Sequence, residues 1–482
     1  MNKLAITRAL ANIVGAPFVL SNPDDLRVYS YDASNHAAAP DFVVIPENAE
    51  QISQVVKLAR EHHLAIVPRG AGTGLCGGTT PLAGGVMISL TRMKKIFAID
   101  YENRVARVGA GLVNLDLSNA LAARGFFYAP DPGSQAASTI GGNIAANSGG
   151  PHCLAYGVTA NHVLGLEIVL DNGEIVWVGG AAPSAPGYDL VGAVIGSEGT
   201  FGIITQALVK ILPLPEEIRT LLAIFDSVER ASHAVSAIIA AGIIPAALEM
   251  LDAISLRAVE NAMHVGYPTD AGAVLLIEID GAREGLDELQ TLIGDICREF
   301  ESRELRVAQT KDARAELWRG RKHALPALGR LAPNYYIQDG CVPRSKLPHV
   351  LAEIETIAKK YDLVIANFFH AGDGNLHPNI LFDLRQAGAY ERVIHAGKEI
   401  LQLCVDAGGT ISGEHGIGME KMEYMPLIFS DADLDEMKKL RAAICPSGLF
   451  NPCKIIPHGA SCAELFSNNL SRALAASGDM WI

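Results

Sequence analysis

The chain has 482 residues, of which 49% are hydrophobic and 19% are charged, and its formal net charge is −14. This length exceeds the size at which one hydrophobic core keeps growing, so two or three domains are expected. An acidic chain without a long basic run is unsuited to binding nucleic acid, and its hydrophobic content argues against disorder.

The N-terminal part of the chain is predicted to begin with a helix and to continue mainly as strands and turns. Residues 1–15 form an amphipathic pattern, and Arg8 interrupts the apolar run that a signal peptide would need. Residues 42–70 read as strand, helix and strand, with Asn48 as the N-cap of the helix. Residues 171–173, Asp-Asn-Gly between two apolar runs, predict a β-hairpin.

The pattern changes after the sequence LPLP at residues 212–215. Beyond it, apolar strands alternate with amphipathic helices, such as a predicted helix over residues 285–300. The most apolar stretch, residues 235–247, is shorter than the roughly 20 residues that span a bilayer, so we expect a buried helix followed by a turn and no transmembrane anchor. These changes predict a first domain, a second α+β domain and a C-terminal segment, at residues 1–213, 214–445 and 446–482.

The eight cysteines are scattered and are too few for a disulfide scaffold in a chain of this length. This usage is typical of a reducing compartment and predicts a cytoplasmic protein. No Cys-x-x-Cys motif is present, so the sequence encodes neither an iron–sulfur cluster nor a zinc ribbon.

Three glycine-rich clusters lie in the predicted first domain, at residues 68–78, 131–150 and 196–204. Glycines let backbone N–H groups converge on an anion such as a pyrophosphate. The first cluster matches the GxGxxG dinucleotide fingerprint, but no amphipathic helix follows it, which disfavours a nicotinamide-binding Rossmann domain. Each cluster alone could be a set of tight turns, whereas three together predict a backbone-lined cleft for a large, phosphate-bearing cofactor.

Two further glycine-rich stretches carry ionisable side chains, HAGDGNLH at residues 370–377 and SGEHGIG at residues 412–418. They provide three candidate metal ligands with a candidate base beside them. Imidazoles plus a carboxylate suit zinc, manganese or iron and leave coordination positions open for a substrate. The alternative is that these are ordinary loop histidines whose hydrogen bonds are satisfied.

Together these motifs resemble the FAD-linked oxidases of the vanillyl-alcohol-oxidase/PCMH fold, over residues 40 to 457. HAGDGNLH and GEHGIG resemble the D-2-hydroxyacid dehydrogenase branch, and WRGRK at residues 318–322 and YYIQDG at residues 335–340 are most similar to the flavoprotein D subunits of bacterial glycolate oxidases. The resemblance implies an α+β fold: a PCMH-type FAD-binding domain of two α/β subdomains, an α+β substrate (cap) domain, and a C-terminal segment that packs back on the FAD-binding domain.

The resemblance also implies which residues form the site. Thr73 stands where some relatives carry a flavin-linked histidine, so the FAD is expected to be noncovalent. His415 would be the catalytic base and Arg321 would bind the substrate carboxylate, while a divalent metal, zinc or manganese, would be bound by His370, His377 and Glu414. The implied FAD-binding residues are Pro68, Arg69, Gly70, Ala71, Gly72, Thr73, Gly74, Leu75, Pro132, Gly133, Ser138, Gly141, Gly142, Asn147, Gly149, Glu198, Gly202, Ile203, Ile204 and Asn451.

The implied reaction is the oxidation of a small D-2-hydroxy acid, glycolate to glyoxylate or D-lactate to pyruvate. A D-2-hydroxyglutarate dehydrogenase is the alternative within the branch. Leu325 and Ile337 stand where those enzymes hold the distal carboxylate with a threonine and a lysine, and a second carboxylate would be buried there without partners. A monocarboxylate substrate is therefore expected. Cys453 replaces the glycine usual after Asn-Pro, and no role follows for it.

Reoxidation of the flavin implies partners, since the chain encodes no further redox centre. The resemblance implies an iron–sulfur subunit and an accessory flavoprotein-like subunit that pass electrons to quinone, with membrane association only through them. Two other classes of function were weighed against this one. A metal-dependent hydrolase leaves the glycine clusters unexplained, and a catalytically idle scaffold subunit would be expected to lose HAGDGNLH or GEHGIG.

Overall fold

The computed structural model describes residues 3–182 and 187–457, which form mixed α/β structure with four β-sheets. One hydrophobic core is built from side chains between residues 6 and 211, joined by Cys445 and Phe450. Two further hydrophobic clusters, built from side chains between residues 221 and 404, pack on the two faces of a larger, seven-stranded sheet. The change of pattern seen in the sequence near residue 213 thus coincides with a change of core.

The N-terminal part contains seven helices and eleven strands among its described residues. The helices are α1 (Lys3–Val14), α2 (Pro23–Arg27), α3 (Ala49–Glu61), α4 (Asn114–Ala122), α5 (Ile140–Ala146), α6 (Cys153–Tyr156) and α7 (Leu190–Val194). The strands are β1 (Val19–Leu20), β2 (Phe42–Val44), β3 (Ile66–Arg69), β4 (Val86–Ser89), β5 (Ile96–Asp100), β6 (Val105–Gly109), β7 (Phe126–Phe127), β8 (Val163–Val169), β9 (Ile175–Gly179), β10 (Ile203–Lys210) and β11 (Leu212–Pro213).

These strands form two main sheets. The first has the order β1-β2-β4-β3, with β2, β4 and β3 parallel, and the second is antiparallel with the order β5-β6-β10-β8-β9. The predicted N-terminal helix, the helix capped by Asn48 and the hairpin between β8 and β9 are all confirmed. No helix lies among residues 70–85, so the first glycine cluster leads directly to β4, as the argument against a Rossmann domain required.

Five helices in this part were not predicted: α2, α4, α5, α6 and α7. The sequence of α5 contains Gly141 and Gly142, which have poor helix propensity, and it therefore reads as a turn. The helix forms because Thr139 caps it, accepting a hydrogen bond from the Gly142 backbone N–H, and because Ile140 and Ile144 are fully buried. Tertiary packing outweighs local propensity at this point.

The second part contains eight helices and seven strands among its described residues. The helices are α8 (Val228–Ala240), α9 (Ala253–Met263), α10 (Leu286–Glu299), α11 (Lys311–Lys322), α12 (Ala324–Leu328), α13 (Leu347–Tyr361), α14 (Ala389–Asp406) and α15 (Asp431–Ile444). The strands are β12 (Glu217–Phe225), β13 (Ala247–Asp252), β14 (Ala273–Gly281), β15 (Glu304–Val307), β16 (Asn334–Ile337), β17 (Val364–His370) and β18 (Pro378–Phe382).

These seven strands form one antiparallel sheet in the order β15-β12-β14-β13-β17-β18-β16. The predicted helix over residues 285–300 is confirmed as α10, with Ile293 and Ile296 on its buried face. The buried helix predicted in the most apolar stretch is α8, which ends at Ala240 before a turn leads to β13. None of the helices in the described ranges is long and apolar enough to cross a membrane.

After α15 the chain returns to the first core. Phe450 is fully buried there, and the backbone around it pairs with β3: Ile66 N–H donates to Leu449 O (2.8 Å), and Asn451 N–H donates to Ile66 O (2.7 Å). Residues 446–457 therefore pack on the N-terminal part. Residues 458–482, the remainder of the predicted C-terminal segment, lie outside the described residues.

Candidate active site

A cavity of about 740 Å³ lies where the two parts of the molecule meet. Its volume falls in the range typical of cofactor and small-molecule sites. One wall comes from the glycine clusters of the N-terminal part, and the other carries Arg321, His370, His377, Glu414 and His415. The structure thus brings all five residues predicted for catalysis and metal binding to one space, facing the predicted cofactor cleft.

The wall from the N-terminal part, called here the flavin wall, consists of residues 68–75, 131–142 and 197–204 that line the cavity. At several of its glycines the segments are packed so closely that a side chain does not fit. A Cβ atom at Gly70 would collide with Thr139 Oγ1, and one at Gly141 would lie 2.6 Å from the Ala110 Cβ. Gly72 has φ +72°, a backbone conformation that favours glycine. This wall is therefore mostly backbone, a surface that a large cofactor can approach closely.

Most of the predicted cofactor-binding residues line the cavity. These are Pro68, Arg69, Gly70, Ala71, Gly72, Thr73, Gly74, Leu75, Pro132, Gly133, Ser138, Gly141, Gly142, Glu198, Gly202 and Ile204. Thr73 is among these lining residues, and a noncovalent flavin stays a prediction.

Four predicted cofactor-binding residues do not line the cavity: Asn147, Gly149, Ile203 and Asn451. Ile203 is fully buried in the first core, and Asn147 ends α5 and accepts a hydrogen bond from the Ala160 backbone N–H (2.9 Å). Asn451 donates from Nδ2 to the backbone oxygens of Gly78 and Glu198, at 2.7 Å each. At Gly149 a Cβ would lie 2.7 Å from a carboxylate oxygen of the opposite wall. The second and third glycine clusters contain both lining and non-lining residues, which sequence alone did not separate.

The three predicted metal ligands converge because two strands and a loop bring them together. β17 ends at His370, a glycine-containing reversal follows, and His377 directly precedes β18. Glu414 Oε1 lies 3.0 Å from His370 Nε2 and 3.3 Å from His377 Nε2. One ligand atom from each residue falls within 4.8 Å of the other two. This donor set fits a divalent metal with open coordination positions.

Glu249, in β13, orients the metal candidate His370. Its Oε1 lies 2.8 Å from His370 Nδ1, which leaves Nε2 directed at Glu414. Burial would lower the pKa of His370, but Glu249 and Glu414 raise it to about 10. A divalent cation bound between His370 and Glu414 would replace the proton that these carboxylates attract.

His415 lies beside the metal candidates and is held by a carboxylate that the sequence analysis did not single out. Its ring stacks on His377 with centroids 4.8 Å apart, and its backbone N–H donates to Asp339 Oδ2 (2.9 Å). Asp339 is fully buried and also pairs with Lys421 Nζ at 3.0 Å. Burial lowers the pKa of His415 to about 4, with Asp339 acting in the opposite direction. The imidazole is therefore neutral at pH 7 and able to accept a proton.

Glu198, from the flavin wall, anchors the other end of the same loop. Its carboxylate accepts hydrogen bonds from the backbone N–H groups of Ile417 (2.7 Å) and Gly418 (2.8 Å). Burial raises the pKa of Glu198, and these N–H groups act against that rise. The loop that carries Glu414 and His415 is thus fixed by one carboxylate from each part of the molecule.

Arg321 lies near the end of α11 with 7% of its surface exposed. Its Nη2 is 2.6 Å from Glu249 Oε2, its guanidinium stands over the Phe368 ring, and its Nε has no hydrogen-bond partner within residues 3–182 and 187–457. An unpaired, buried guanidinium N–H at a cavity can bind a carboxylate. Leu325 and Ile337 line the same cavity with apolar side chains.

Four polar residues of this site were missed from the sequence: Glu249, Asp339, Asn379 and Lys421. Asn379 lines the cavity, donates from Nδ2 to two backbone oxygens and leaves its Oδ1 without a partner in the part of the chain described. A usable signal existed for Glu249, because a lone carboxylate inside an apolar strand must find a partner. Asp339 lies in YYIQDG, which contributed only to the resemblance.

A backbone-lined cleft opposite a histidine–carboxylate cluster fits a flavin-dependent oxidase, and the comparisons with known proteins show that class. Residues 40–179 match the FAD binding domain family, and residues 214–455 match the C-terminal domain of FAD linked oxidases. The chain belongs to the FAD-linked oxidase family. This confirms the predicted family, the FAD cofactor and the enzyme class over the hydrolase and the idle scaffold.

The similar proteins named as glycolate oxidase subunit GlcD are 44% identical in Escherichia coli K12 (96% of this chain, 93% of the relative) and 45% identical in Bacillus subtilis 168 (90% and 93%). A D-lactate dehydrogenase of Anaerostipes hadrus is 32% identical, covering 90% of this chain and 91% of its own. The structure of p-cresol methylhydroxylase with substrate bound has a TM-score of 0.81 at 17% identity, covering 95% of this chain and 98% of that one. This likeness confirms the predicted PCMH-type fold.

Proposed function

We propose that this protein oxidises a small D-2-hydroxy monocarboxylate to the 2-oxo acid, glycolate to glyoxylate or D-lactate to pyruvate. The observation that carries the proposal is the single cavity in which the flavin wall faces Arg321, His415 and the His370–His377–Glu414 cluster. The names of the similar proteins, glycolate oxidase subunit and D-lactate dehydrogenase, point to the same class of substrate.

The reaction removes a hydride from C2 and a proton from the hydroxyl group, leaving a C2 carbonyl. FAD, when bound, supplies the two-electron acceptor, and a divalent metal, zinc or manganese, held by His370, His377 and Glu414 supplies a Lewis acid. His415 takes the hydroxyl proton on its neutral imidazole, in the form favoured by its lowered pKa. Stacking on His377 places it directly beside the metal candidates.

Arg321 binds the substrate carboxylate through its unpaired Nε, while Glu249 and the Phe368 ring fix the guanidinium. Glu249 contacts both Arg321 and His370, so the carboxylate site and the metal site keep a fixed separation. Leu325 and Ile337 offer no hydrogen bond to a second carboxylate, which favours a monocarboxylate over 2-hydroxyglutarate. Glycolate and D-lactate differ by one methyl group, and apolar contacts discriminate a methyl group by only about 10- to 200-fold.

Electrons are proposed to leave the reduced flavin through partner subunits, an iron–sulfur protein and an accessory flavoprotein-like chain, toward quinone. Support comes from the relatives named as subunits of glycolate oxidase. Membrane association, if present, then resides in the partners, since no helix in the described ranges could span a bilayer.

The test is the visible spectrum of the purified protein, recorded anaerobically as each acid is added. Bleaching of the flavin band by glycolate or D-lactate, but not by D-2-hydroxyglutarate, is the expected result. A flavin band that none of several 2-hydroxy monocarboxylates bleaches, in protein with its metal restored, would contradict the proposal.

Metal content is tested separately, by elemental analysis and by chelation. The chelated protein should retain FAD and lose reduction by substrate, and addition of zinc or manganese should restore it. Full activity of a metal-free preparation would remove the metal from the proposal.

A further inference from the structure

His152 lies at the boundary between the two parts of the molecule, outside the cavity lining. Its Nδ1 is 2.7 Å from Asp131 Oδ2 in the flavin wall, and its Nε2 is 3.1 Å from Glu278 Oε1 in β14. Burial would lower the pKa of His152, but Asp131 and Glu278 raise it to about 10. At neutral pH the ring is therefore protonated, and both N–H groups donate to carboxylates on opposite sides of the boundary.

Glu278 is the receiving end of this bridge in the second part. Besides His152 it accepts hydrogen bonds from Trp318 Nε1 (2.6 Å), from Arg314 Nε (3.0 Å) and from the Thr220 hydroxyl (2.7 Å). The Trp318 ring also stacks on the His152 ring, with centroids 5.4 Å apart. Arg314 and Trp318 of α11 thereby donate hydrogen bonds to the Glu278 carboxylate. His152 connects this carboxylate to Asp131 of the flavin wall.

Arg321 lies on the same helix, one turn after Trp318, and is attached to the neighbouring strand through Glu249. Two buried carboxylates on adjacent strands, Glu278 in β14 and Glu249 in β13, therefore fix α11 on the sheet. At the other end, Asp131 lines the cavity beside Pro132 and Gly133. The chain of contacts runs from the flavin wall through His152 and Glu278 to the helix that carries Arg321.

We propose that His152 is a positioning residue that sets the separation between the carboxylate-binding Arg321 and the flavin wall. The proposal rests on the proposed function. Arg321 and all three metal candidates belong to the second part, so substrate can bind there without the bridge. Transfer from C2 to the flavin depends on how the two parts are placed, and a misplacement of about 1 Å can cost a reaction roughly 100-fold.

The experiment compares substrate binding with flavin reduction in the full-length, FAD- and metal-loaded protein, by anaerobic stopped-flow absorbance. His152→Gln should lower the limiting rate of flavin reduction by about tenfold or more, while the substrate concentration at half-maximal rate stays within about twofold. Trp318→Phe keeps an aromatic ring over His152 and removes the N–H that reaches Glu278. Trp318→Phe should also lower the limiting rate of flavin reduction without changing the substrate concentration at half-maximal rate, but by less than His152→Gln.

Tyr156→Phe is the matched control, because the Tyr156 hydroxyl donates across the same boundary to Asp280, also in β14, without reaching α11. Its rate should equal that of the wild type. Equal rates of flavin reduction in the wild type and in His152→Gln would overturn the proposal. Loss of FAD from both His152→Gln and Trp318→Phe would also overturn it, as would an effect of Tyr156→Phe equal to that of His152→Gln. Reduction of the wild-type flavin by substrate is measured first. Its absence would contradict the proposed function, whereas the comparison of variants tests only the role of His152.

Discussion

The two walls of the cavity are built in opposite ways. The flavin wall is backbone and small side chains, with positions such as Gly70 and Gly141 where even a Cβ does not fit. The facing wall is a network of ionisable side chains, in which Glu249 and Asp339 are fully buried and hold the others in place. The first wall is therefore sensitive to added volume, and the second to altered charge or proton affinity.

The sharpest test of this contrast is His415→Ala. Removal of the proposed base should lower flavin reduction by substrate roughly 10²- to 10⁴-fold, because a positioned proton acceptor contributes on that order. The protein should keep its FAD, since the loop is fixed by backbone N–H groups that alanine retains, from His415 to Asp339 and from Ile417 and Gly418 to Glu198. Stopped-flow absorbance and flavin content after gel filtration measure both effects.

His349→Ala is the control for this variant, because His349 is an exposed histidine on α13. It should reduce its flavin at the wild-type rate. A His415→Ala protein with normal flavin reduction would remove His415 from catalysis, and one without FAD would mean that the walls are not independent.

Arg321→Lys tests whether the second wall needs geometry as well as charge. Lysine keeps the positive charge near Glu249 but loses the planar fork, and a charge-assisted hydrogen bond contributes about 1.5–3 kcal/mol. The kcat/KM for the hydroxy acid should fall by roughly 10- to 150-fold on that basis. Arg319→Lys, on the same helix but paired at the surface with Glu316, should leave it unchanged. Equal kinetics of the two variants would exclude carboxylate binding by Arg321.

Gly70→Ala tests the flavin wall. The added methyl group would collide with Thr139 Oγ1, and overpacking typically costs about 1–3 kcal/mol. Weaker FAD binding is expected, measured by titration of the FAD-free protein. The second change Thr139→Ala removes the colliding oxygen and leaves the Thr139 Cβ position 3.5 Å away, but it also removes the cap of α5, so Thr139→Ala alone is the reference. Gly70→Ala should weaken FAD binding less in the Thr139→Ala protein than in the wild type. An equal loss in both backgrounds would mean that volume at this contact does not limit binding.

The difference between the walls also explains what the sequence could predict. Glycine clusters are local signals, so the three clusters at residues 68–78, 131–150 and 196–204 together predicted a cofactor cleft from their own composition. The spacing of HAGDGNLH and SGEHGIG likewise identified His370, His377, Glu414 and His415, which the structure brings together.

The supporting network could not be predicted in the same way, because its contacts join residues far apart in the chain. Asp339 pairs with Lys421 across 82 positions, and Glu249 pairs with His370 across 121. A lone acidic residue in an apolar strand indicates that a partner exists but does not identify it. The same limit applies to α5, whose glycines predict a turn until the burial of Ile140 and Ile144 is known.

The smallest predicted effect concerns the bridge between the walls and its pH dependence. The pKa of His152 is raised from 6.5 to about 10, so its contribution to stability is complete below pH 6.5 and is lost as the pH rises through 10. The pKa of Glu278 is lowered from 4.5 to about 2, chiefly by His152 against the effect of burial, so its contribution is complete above pH 4.5. The bridge is therefore strongest between pH 4.5 and 6.5.

His152→Gln should lower Tm by a few degrees in that window, because 1 kcal/mol shifts Tm by about 2–4 °C in domains of 150–250 residues. The decrease in Tm should become smaller as the pH approaches 10. Calorimetry against His395→Gln, an exposed control on α14, measures this, and a Tm difference constant from pH 6 to 10 would mean that His152 does not act as a cation between two carboxylates.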